Sequence, residues 1–148
     1  MRLYTPLLRM FGVRIGGTPR YISTTCRFDD LSKITIGNRV VISGDVRFLT
    51  HDYSLTTALI AIGETPATDV ASEREIIVGN NVFIGLKTII MPGTIIGDNV
   101  IVGAGSVVRG HIKNDSVVVG NPASVVGNLR DYAERWKSRF DTGLVRCD

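Results

Sequence analysis

The feature that most constrains this chain is an apolar residue that recurs every six positions. The main series is Val78, Ile84, Ile90, Ile96, Val102 and Val108, preceded upstream by Ile36, Ile42 and Phe48. Within a unit such as ITIGNR or TIIGDN, apolar residues occupy alternate places. An amphipathic helix requires apolar spacings of three and four residues, so this pattern predicts very short strands joined by tight corners.

A second series lies between the members of the first. It comprises Ile22, Phe28, Ile34, Val40 and Val46, and then Val82, Thr88, Thr94, Val100, Ser106 and Ile112. Gly and Asn recur beside both series, as in GNR, GNN and GDN, and we expect them where a Cβ disfavours the required backbone conformation. One unit cannot bury its own apolar residues, so the repeat predicts a solenoid in which equivalent residues stack from coil to coil.

The repeat is interrupted between about residues 49 and 75, in the stretch LTHDYSLTTALIAIGETPATDVASERE. A loop of this length inside a compact domain is uncommon and is often functional. The interruption begins beside His51, one of only two histidines in the chain. We therefore expect a functional residue at this break.

Length and composition place the chain among soluble globular proteins. Its 148 residues suffice for one domain. No apolar run approaches the ~20 residues of a membrane span, and the first residues lack the form of a signal peptide. Cys26 and Cys147 fit no metal or redox spacing, so we expect a reducing, cytoplasmic setting. A net charge of +3 is too mild to indicate a nucleic-acid partner.

The repeat resembles that of the hexapeptide-repeat acyltransferases. The similarity extends over about residues 18–126 and is greatest in IIVGNNVFIGLKTIIMPGTIIGDNVIVGAGSVV and VVVGNPASVV, which look like sugar and polysaccharide O-acetyltransferases, including the maltose and galactoside enzymes. The resemblance implies an all-β fold, the left-handed parallel β-helix, usually assembled as a homotrimer. It also implies acetyl-CoA as co-substrate.

The same resemblance implies that His51 is the general base. The family places its catalytic histidine at such a break in a THP or THD context, and a neutral imidazole can remove the proton of an acceptor hydroxyl. Such a base is usually oriented by a second group, for which Asp52, Asp29, Asp30 and backbone carbonyls are all candidates. His111 has no family counterpart, and we expect it at the surface.

Acetyl-CoA lies in the family along a groove between neighbouring subunits. Phe83 matches the aromatic residue of the NNVWIG motif, and small residues allow close approach of the pantetheine arm. The residues implied in cofactor binding are Phe83, Gly85, Gly103, Ala104, Ser106, Arg109, Asn121, Pro122, Ala123 and Ser124. The family often carries Lys or Arg where this chain has Gly110 and Ser124, and Arg109, Lys113 or Arg130 could replace those phosphate contacts.

Acceptor contacts are implied for Ser23, Thr25 and Asp52, although Ser23 and Thr25 also fit ordinary positions of an early coil. A related branch of the fold binds zinc through three histidines. With two histidines in the chain, we expect no metal.

Different patterns appear at the two ends. Leu129, Tyr132, Trp136 and Phe140 follow helical spacing, which predicts an amphipathic helix over about residues 128–140 with Gly127-Asn128 as its start. Residues 1–17 form an apolar and basic segment that we expect to cover the first coil. Membrane association through either end is the less favoured interpretation.

These observations predict an acetyl-CoA-dependent O-acetyltransferase that acts on a saccharide by direct transfer. Three alternatives stay open: N-acetylation of an amino sugar, use of another acyl donor, and a non-catalytic β-helix that serves as an assembly platform.

Overall fold

A computed structural model describes residues 4–137 and residue 139. Within these residues the chain forms three α-helices: α1 (Tyr4–Met10), α2 (Ser54–Ala61) and α3 (Leu129–Lys137). The first sheet contains β1 (Arg14–Ile15), β4 (Ile34–Ile36), β9 (Ile76–Val78), β12 (Ile95–Ile96) and β15 (His111–Ile112). The second contains β2 (Tyr21–Ile22), β5 (Val41–Ile42), β10 (Phe83–Ile84), β13 (Ile101–Val102), β16 (Ser116–Gly120) and β17 (Ala123–Asn128). The third contains β3 (Arg27–Phe28), β6 (Arg47–Phe48), β11 (Ile89–Ile90) and β14 (Val107–Val108).

Consecutive strands visit the three sheets in rotation. The chain passes from β1 to β2 to β3 and then returns to the first sheet at β4, and each coil repeats this order. Neighbouring strands within a sheet come from successive coils and are parallel, apart from the antiparallel pair β16–β17. The structure is therefore the solenoid of short strands that the period of six predicts. We call it the three-sided coil.

The core of the three-sided coil consists of the two periodic series. The main-series residues from Ile36 to Val108 are at most 1% exposed, and Thr88, Thr94 and Ser106 of the second series are fully buried. The buried hydroxyls of Thr94 and Ser106 donate to main-chain carbonyls, at 2.7 Å to Met91 and at 2.7 Å to Gly103. Hydrogen bonding of this kind offsets the cost of placing polar groups in an apolar interior.

The repeated Asn and Asp residues form hydrogen bonds between coils at the corner between the first and second sheets. The side-chain oxygen of Asn80 accepts the main-chain N–H of Asn38 at 2.9 Å, and that of Asn114 accepts the N–H of Asp98 at 2.9 Å. The next residue in each corner adopts positive φ, as at Asn81 (53°). Asparagine tolerates this left-handed region better than most residues.

The glycines beside the core residues serve a different purpose from the one that the sequence predicts. Gly85 does not adopt positive φ; a Cβ there would lie 2.5 Å from the main-chain nitrogen of Ala104. At Gly79, a Cβ would lie 2.5 Å from Asp98 Oδ1. These glycines permit one coil to stack closely on the next, whereas positive φ angles occur at other residues, such as Asn81. The prediction that glycine stands where a Cβ disfavours the backbone conformation is therefore wrong for Gly79 and Gly85.

The ends of the three-sided coil also differ from the predicted bounds. The first strand is Arg14–Ile15, which pairs with β4, so the coil begins within the predicted cap of residues 1–17. Leu8 of α1 is buried against the core. At the other end, Asn128 Oδ1 accepts the Arg130 N–H at 2.8 Å and caps α3, as the start signal predicts. Residues 138 and 140–148, with Phe140 and Cys147, lie outside the described residues, as do residues 1–3.

Candidate functional site

The interruption of the repeat is not the structureless loop that the sequence suggests. Residues 49–75 contain β7 (His51–Asp52), α2 and β8 (Ser72–Glu73), and β7 pairs with β8 in antiparallel register. The Arg74 N–H donates to the Thr50 carbonyl at 2.9 Å, which extends this pairing. The strand pair holds His51 at the corner between the third and first sheets.

His51 faces Asp29 of the preceding coil. Its Nδ1 lies 3.5 Å from Asp29 Oδ2, and its side chain is 41% exposed. The same carboxylate oxygen accepts the Thr50 N–H at 3.3 Å, and Tyr53 meets the imidazole ring edge-on at 5.4 Å between centroids. A proton on Nδ1 facing this carboxylate leaves the lone pair of Nε2 available to a bound hydroxyl. A histidine oriented by a carboxylate in this way has the geometry that general-base chemistry requires.

Among the four candidates that the sequence offers to orient His51, Asp29 has the best position. Asp30 accepts both the N–H and the hydroxyl of Ser32, and these bonds lower the pKa of the Asp30 carboxyl below its ordinary value. The Asp52 carboxylate accepts the Ser54 N–H at 2.8 Å, and this bond lowers the pKa of Asp52 in the same direction. Both carboxylates are thus occupied with local turns.

Asp52 lines a cavity of about 340 Å³ at the same corner. Arg74, Met91, Gly93 and Arg109 also line it, and the charge of Arg109 contributes to the lowered pKa of Asp52. Successive side chains of a strand point to opposite faces, which agrees with His51 meeting Asp29 while Asp52 faces this cavity. Within one chain, Arg109 therefore lines the same cavity as Asp52.

The predicted pantetheine residues lie at another corner, between the second and third sheets. Ala104 is exposed and Gly103 is half-buried, so both offer surface to a ligand. Gly85 and Ser106 are buried, and the Ser106 hydroxyl also accepts the Gly120 N–H at 3.1 Å. The Ser106 hydroxyl thus bonds within the protein and holds the corner together. Gly85 acts by allowing the coils to stack.

The remaining predicted cofactor residues lie on or beside the second sheet. Phe83 is 42% exposed on its outer face. Asn121 and Pro122 form the turn between β16 and β17, and Ala123 pairs with Gly120. Ser124 and the two turn residues are exposed.

The two hydroxyl residues predicted to contact an acceptor instead bond within the protein. Ser23 Oγ lies 3.1 Å from Thr25 Oγ1, and Thr25 Oγ1 accepts the Asp45 N–H at 2.9 Å. Ser23 is also buried. Thr25 is exposed, so an acceptor contact there stays a prediction, whereas the Ser23 hydroxyl bonds within the corner.

The other histidine and the described cysteine differ in exposure. His111 is exposed on β15. Burial raises the pKa of the Cys26 thiol to about 11, so the thiolate needed for nucleophilic attack is scarce at neutral pH. Residues 4–137 and 139 contain no cluster of three His, Cys, Asp or Glu side chains able to hold a metal. Among them there is also no helix long and apolar enough to cross a bilayer.

Sequence reasoning missed one pair of residues near His51. Arg27 and Arg47 precede the inward-facing Phe28 and Phe48 and are register partners on the outer face of the third sheet. The repeated dipeptide Arg-Phe, twenty residues apart, is the signal that could have found them.

Comparison with known proteins agrees with this architecture. A family model described as bacterial transferase hexapeptide (six repeats) matches residues 75–110. CapG of Staphylococcus aureus is 36% identical over 127 residues, which cover 84% of this chain and 71% of CapG. The galactoside O-acetyltransferase of Escherichia coli (strain K12) is 34% identical over 98 residues, covering 66% of this chain and 45% of that protein.

A solved structure shows the same likeness in three dimensions. Galactoside acetyltransferase in complex with coenzyme A superimposes with a TM-score of 0.68 at 26% identity, over 88% of this chain and 72% of that one. The chain spans about half the length of most of the curated relatives that it matches.

Proposed function

Because the chain belongs to the hexapeptide-repeat acyltransferase family, we propose that it transfers an acetyl group from acetyl-CoA to a saccharide hydroxyl, with His51 as general base. The observation that carries this proposal is the half-exposed imidazole of His51, whose Nδ1 lies 3.5 Å from the Asp29 carboxylate. The histidine stands where the regular repeat breaks, on a strand pair that holds it outside the core.

The reaction follows from this arrangement. Nε2 of His51 accepts the proton of the acceptor hydroxyl while the oxygen attacks the thioester carbonyl. Asp29 orients the ring and stabilises the imidazolium that forms. The C–S bond then breaks, and His51 returns its proton to the departing CoA sulfur. A positioned base of this kind contributes about 10²- to 10⁴-fold to rate.

Exposed residues of the coil fit a CoA thioester. Ala104 and Gly103 offer a surface with little side chain, and Phe83 is an exposed aromatic residue on the adjoining sheet. The family's basic residues are replaced by Ser124 and Gly110. We assign the contact with the CoA phosphates to Arg109. Within one chain, Arg109 lies at the corner between the third and first sheets, and this corner lies apart from the turn at Asn121.

The separation of His51 from the predicted pantetheine residues within one chain supports a site shared between subunits of a homotrimer. His51 lies at the corner between the third and first sheets, whereas Ala104 lies at the corner between the second and third. Exposed apolar residues on the outer faces, such as Ile77, Ile95 and Leu86, suit burial against another copy. We further propose that each subunit is the left-handed β-helix of its family, which a crystal structure of the trimer would test.

The decisive experiment compares His51→Ala with His111→Ala. Release of CoA from acetyl-CoA is measured against a panel of sugars and amino sugars. We expect His51→Ala to lower transfer at least ~10²-fold, while His111→Ala, an exposed histidine on the outer surface, retains wild-type transfer. Oligomeric state and melting temperature should match the wild type in both variants.

The panel also separates the alternatives. Transfer to amino sugars alone would indicate N-acetylation. Undiminished transfer by His51→Ala would refute the base assignment. An absence of transfer, together with no rise in melting temperature at millimolar CoA, would favour a non-catalytic platform, because a ligand that binds the folded state at 100 times its Kd stabilises it by about 2.7 kcal/mol.

A further inference from the structure

Two arginines lie directly opposite each other on the outer face of the third sheet. Arg27 of β3 and Arg47 of β6 are Cα partners in parallel strands, and both side chains are exposed. Like charges at directly paired positions destabilise a sheet. Lys87 adds a third cation, because it lines a cavity of about 340 Å³ together with Arg27 and Arg47.

These three cations have little compensation from the protein itself. Among residues 4–137 and 139, no carboxylate lies within the 4.0 Å of a salt bridge from any of them. One carboxylate, that of Asp45, lines the same cavity. By contrast, Arg14 and Lys33 of the first coil each pair with an acidic side chain. With three cations against one carboxylate, the cluster is a surface suited to an anionic group.

An apolar cavity adjoins this cluster. It has a volume of about 550 Å³, and its lining includes Arg27 and Arg47 together with the apolar residues Leu7, Phe11 and Leu49. Leu7 and Phe11 of the N-terminal segment are exposed, at 42% and 58%. An apolar cavity with arginines along one side matches a ligand that carries an acidic group next to an apolar one.

The cavity also reaches the proposed catalytic residues. Asp29 forms part of its lining, and Asp29 Oδ2 lies 3.5 Å from His51 Nδ1. A ligand that occupies the cavity therefore extends to within one side chain of the imidazole. This proximity connects the cavity with the acceptor rather than with a remote site.

We infer that Arg27, Arg47 and the adjoining apolar cavity form the acceptor subsite, and that the acceptor is a saccharide bearing an acidic group and an apolar substituent. This inference rests on the proposed function. The guanidinium groups bind a carboxylate or phosphate of the saccharide through charge-assisted hydrogen bonds. Leu7, Phe11 and Leu49 cover the apolar substituent, and the reacting hydroxyl lies toward His51.

Binding is tested on the full-length protein without acetyl-CoA, so that the result does not depend on transfer. The probes are hexyl β-D-glucuronide, hexyl β-D-glucoside 6-phosphate, neutral hexyl β-D-glucoside and methyl β-D-glucuronide, titrated by calorimetry. We expect one or both acidic hexyl probes to bind at least about tenfold more tightly than the neutral one, because hydrogen bonds between charged groups are stronger than those between neutral groups. The stronger of the two identifies the acid.

Matched variants assign the affinity to the cluster. Arg47→Gln should weaken binding of the acidic hexyl probe about tenfold. Phe11→Ala should reduce the ratio by which hexyl β-D-glucuronide binds more tightly than methyl β-D-glucuronide. Arg20→Gln, which removes an exposed cation from the second sheet, should leave both affinities unchanged. Without ligand, Arg47→Gln should melt no lower than the wild type, because it relieves like-charge repulsion; a purely structural arginine would show a lower melting temperature.

Several results would overturn the inference. Equal binding of acidic and neutral probes would refute the binding of an acidic group by Arg27 and Arg47. A failure of all four probes to bind would refute it as well. Loss of CoA affinity in Arg47→Gln, with probe affinity intact, would assign the cluster to the donor. Tight probe binding without transfer to any acceptor would instead refute the proposed function and leave an anion site.

Discussion

The regular coils and the interruption at residues 49–75 differ in how much of their side-chain surface is buried and in how their strands pair. In the coils, nearly every periodic residue is buried, and each strand bonds to the coil before and after it. In the interruption, α2 buries none of its residues, and the only strand pairing is between β7 and β8. The coils supply a rigid scaffold, and the interruption holds His51 at its surface. The proposed general base is thus carried by a segment that contributes little to the core.

The largest contrast should appear in stability. Ile84 in the coil is 0% exposed, whereas Ile60 in α2 is 60% exposed. We expect Ile84→Ala to lower the free energy of unfolding by about 2–5 kcal/mol, because it removes buried contacts and leaves a cavity. Ile60→Ala should change it by less than about 0.5 kcal/mol. Urea unfolding measures both, and equal losses would show that the interruption is part of the core.

Glycine substitutions give a smaller contrast with two separate causes. Gly85→Ala places a Cβ 2.5 Å from the Ala104 nitrogen, and we expect a loss of about 1–3 kcal/mol from overpacking. Gly63 in the interruption has no atom within 4 Å of such a Cβ, but its φ is +88°. Gly63→Ala should therefore cost only the conformational penalty of about 1–2 kcal/mol. A neutral Gly85→Ala would contradict the close stacking of the coils.

The smallest expected effect concerns Asp52 and pH. The Ser54 N–H lowers the pKa of this half-buried carboxyl in the folded protein. A lowered folded pKa contributes stability above the unfolded value of about 3.9 and loses it as pH falls through the folded pKa. Asp52→Asn should thus be slightly less stable at pH 7, and this difference should begin to shrink as pH falls below about 4 and disappear once the pH is below the lowered pKa of the folded protein. Melting temperatures from pH 7 into this acidic range provide the check, and a gap that does not shrink at all below about pH 4 would exclude Asp52 as its source.

The coils could be predicted from sequence because one local rule generates them. Every six residues the same environment recurs, so Ile36 and Val108 are governed by the same packing and both are buried as the period predicts. The role of Gly85 was misinterpreted because its constraint comes from Ala104 in the next coil. Contacts between coils depend on rise and register, which the pattern of a single coil does not contain.

The candidate site could be predicted only in part. His51 is marked by the break in the repeat, but the choice of Asp29 over Asp52 or Asp30 depends on which side chain faces the ring. Ser23 and Ser106 looked available as small polar residues, yet their hydroxyls bond within the corners. Arg27 and Arg47 went unnoticed because their charges meet only when two coils are placed in register.

The central claim is that one subunit supplies His51 and a neighbouring subunit supplies the thioester groove at Ala104. Its most direct test is co-expression of His51→Ala with Ala104→Trp, an exposed position where a large side chain blocks the groove. Each variant alone should be inactive. In mixed trimers, a shared site recovers about a quarter of wild-type transfer, because half the histidines and half the grooves are intact and combine at random. Failure of the mixture to recover any activity, with mixed assembly demonstrated, would contradict the account.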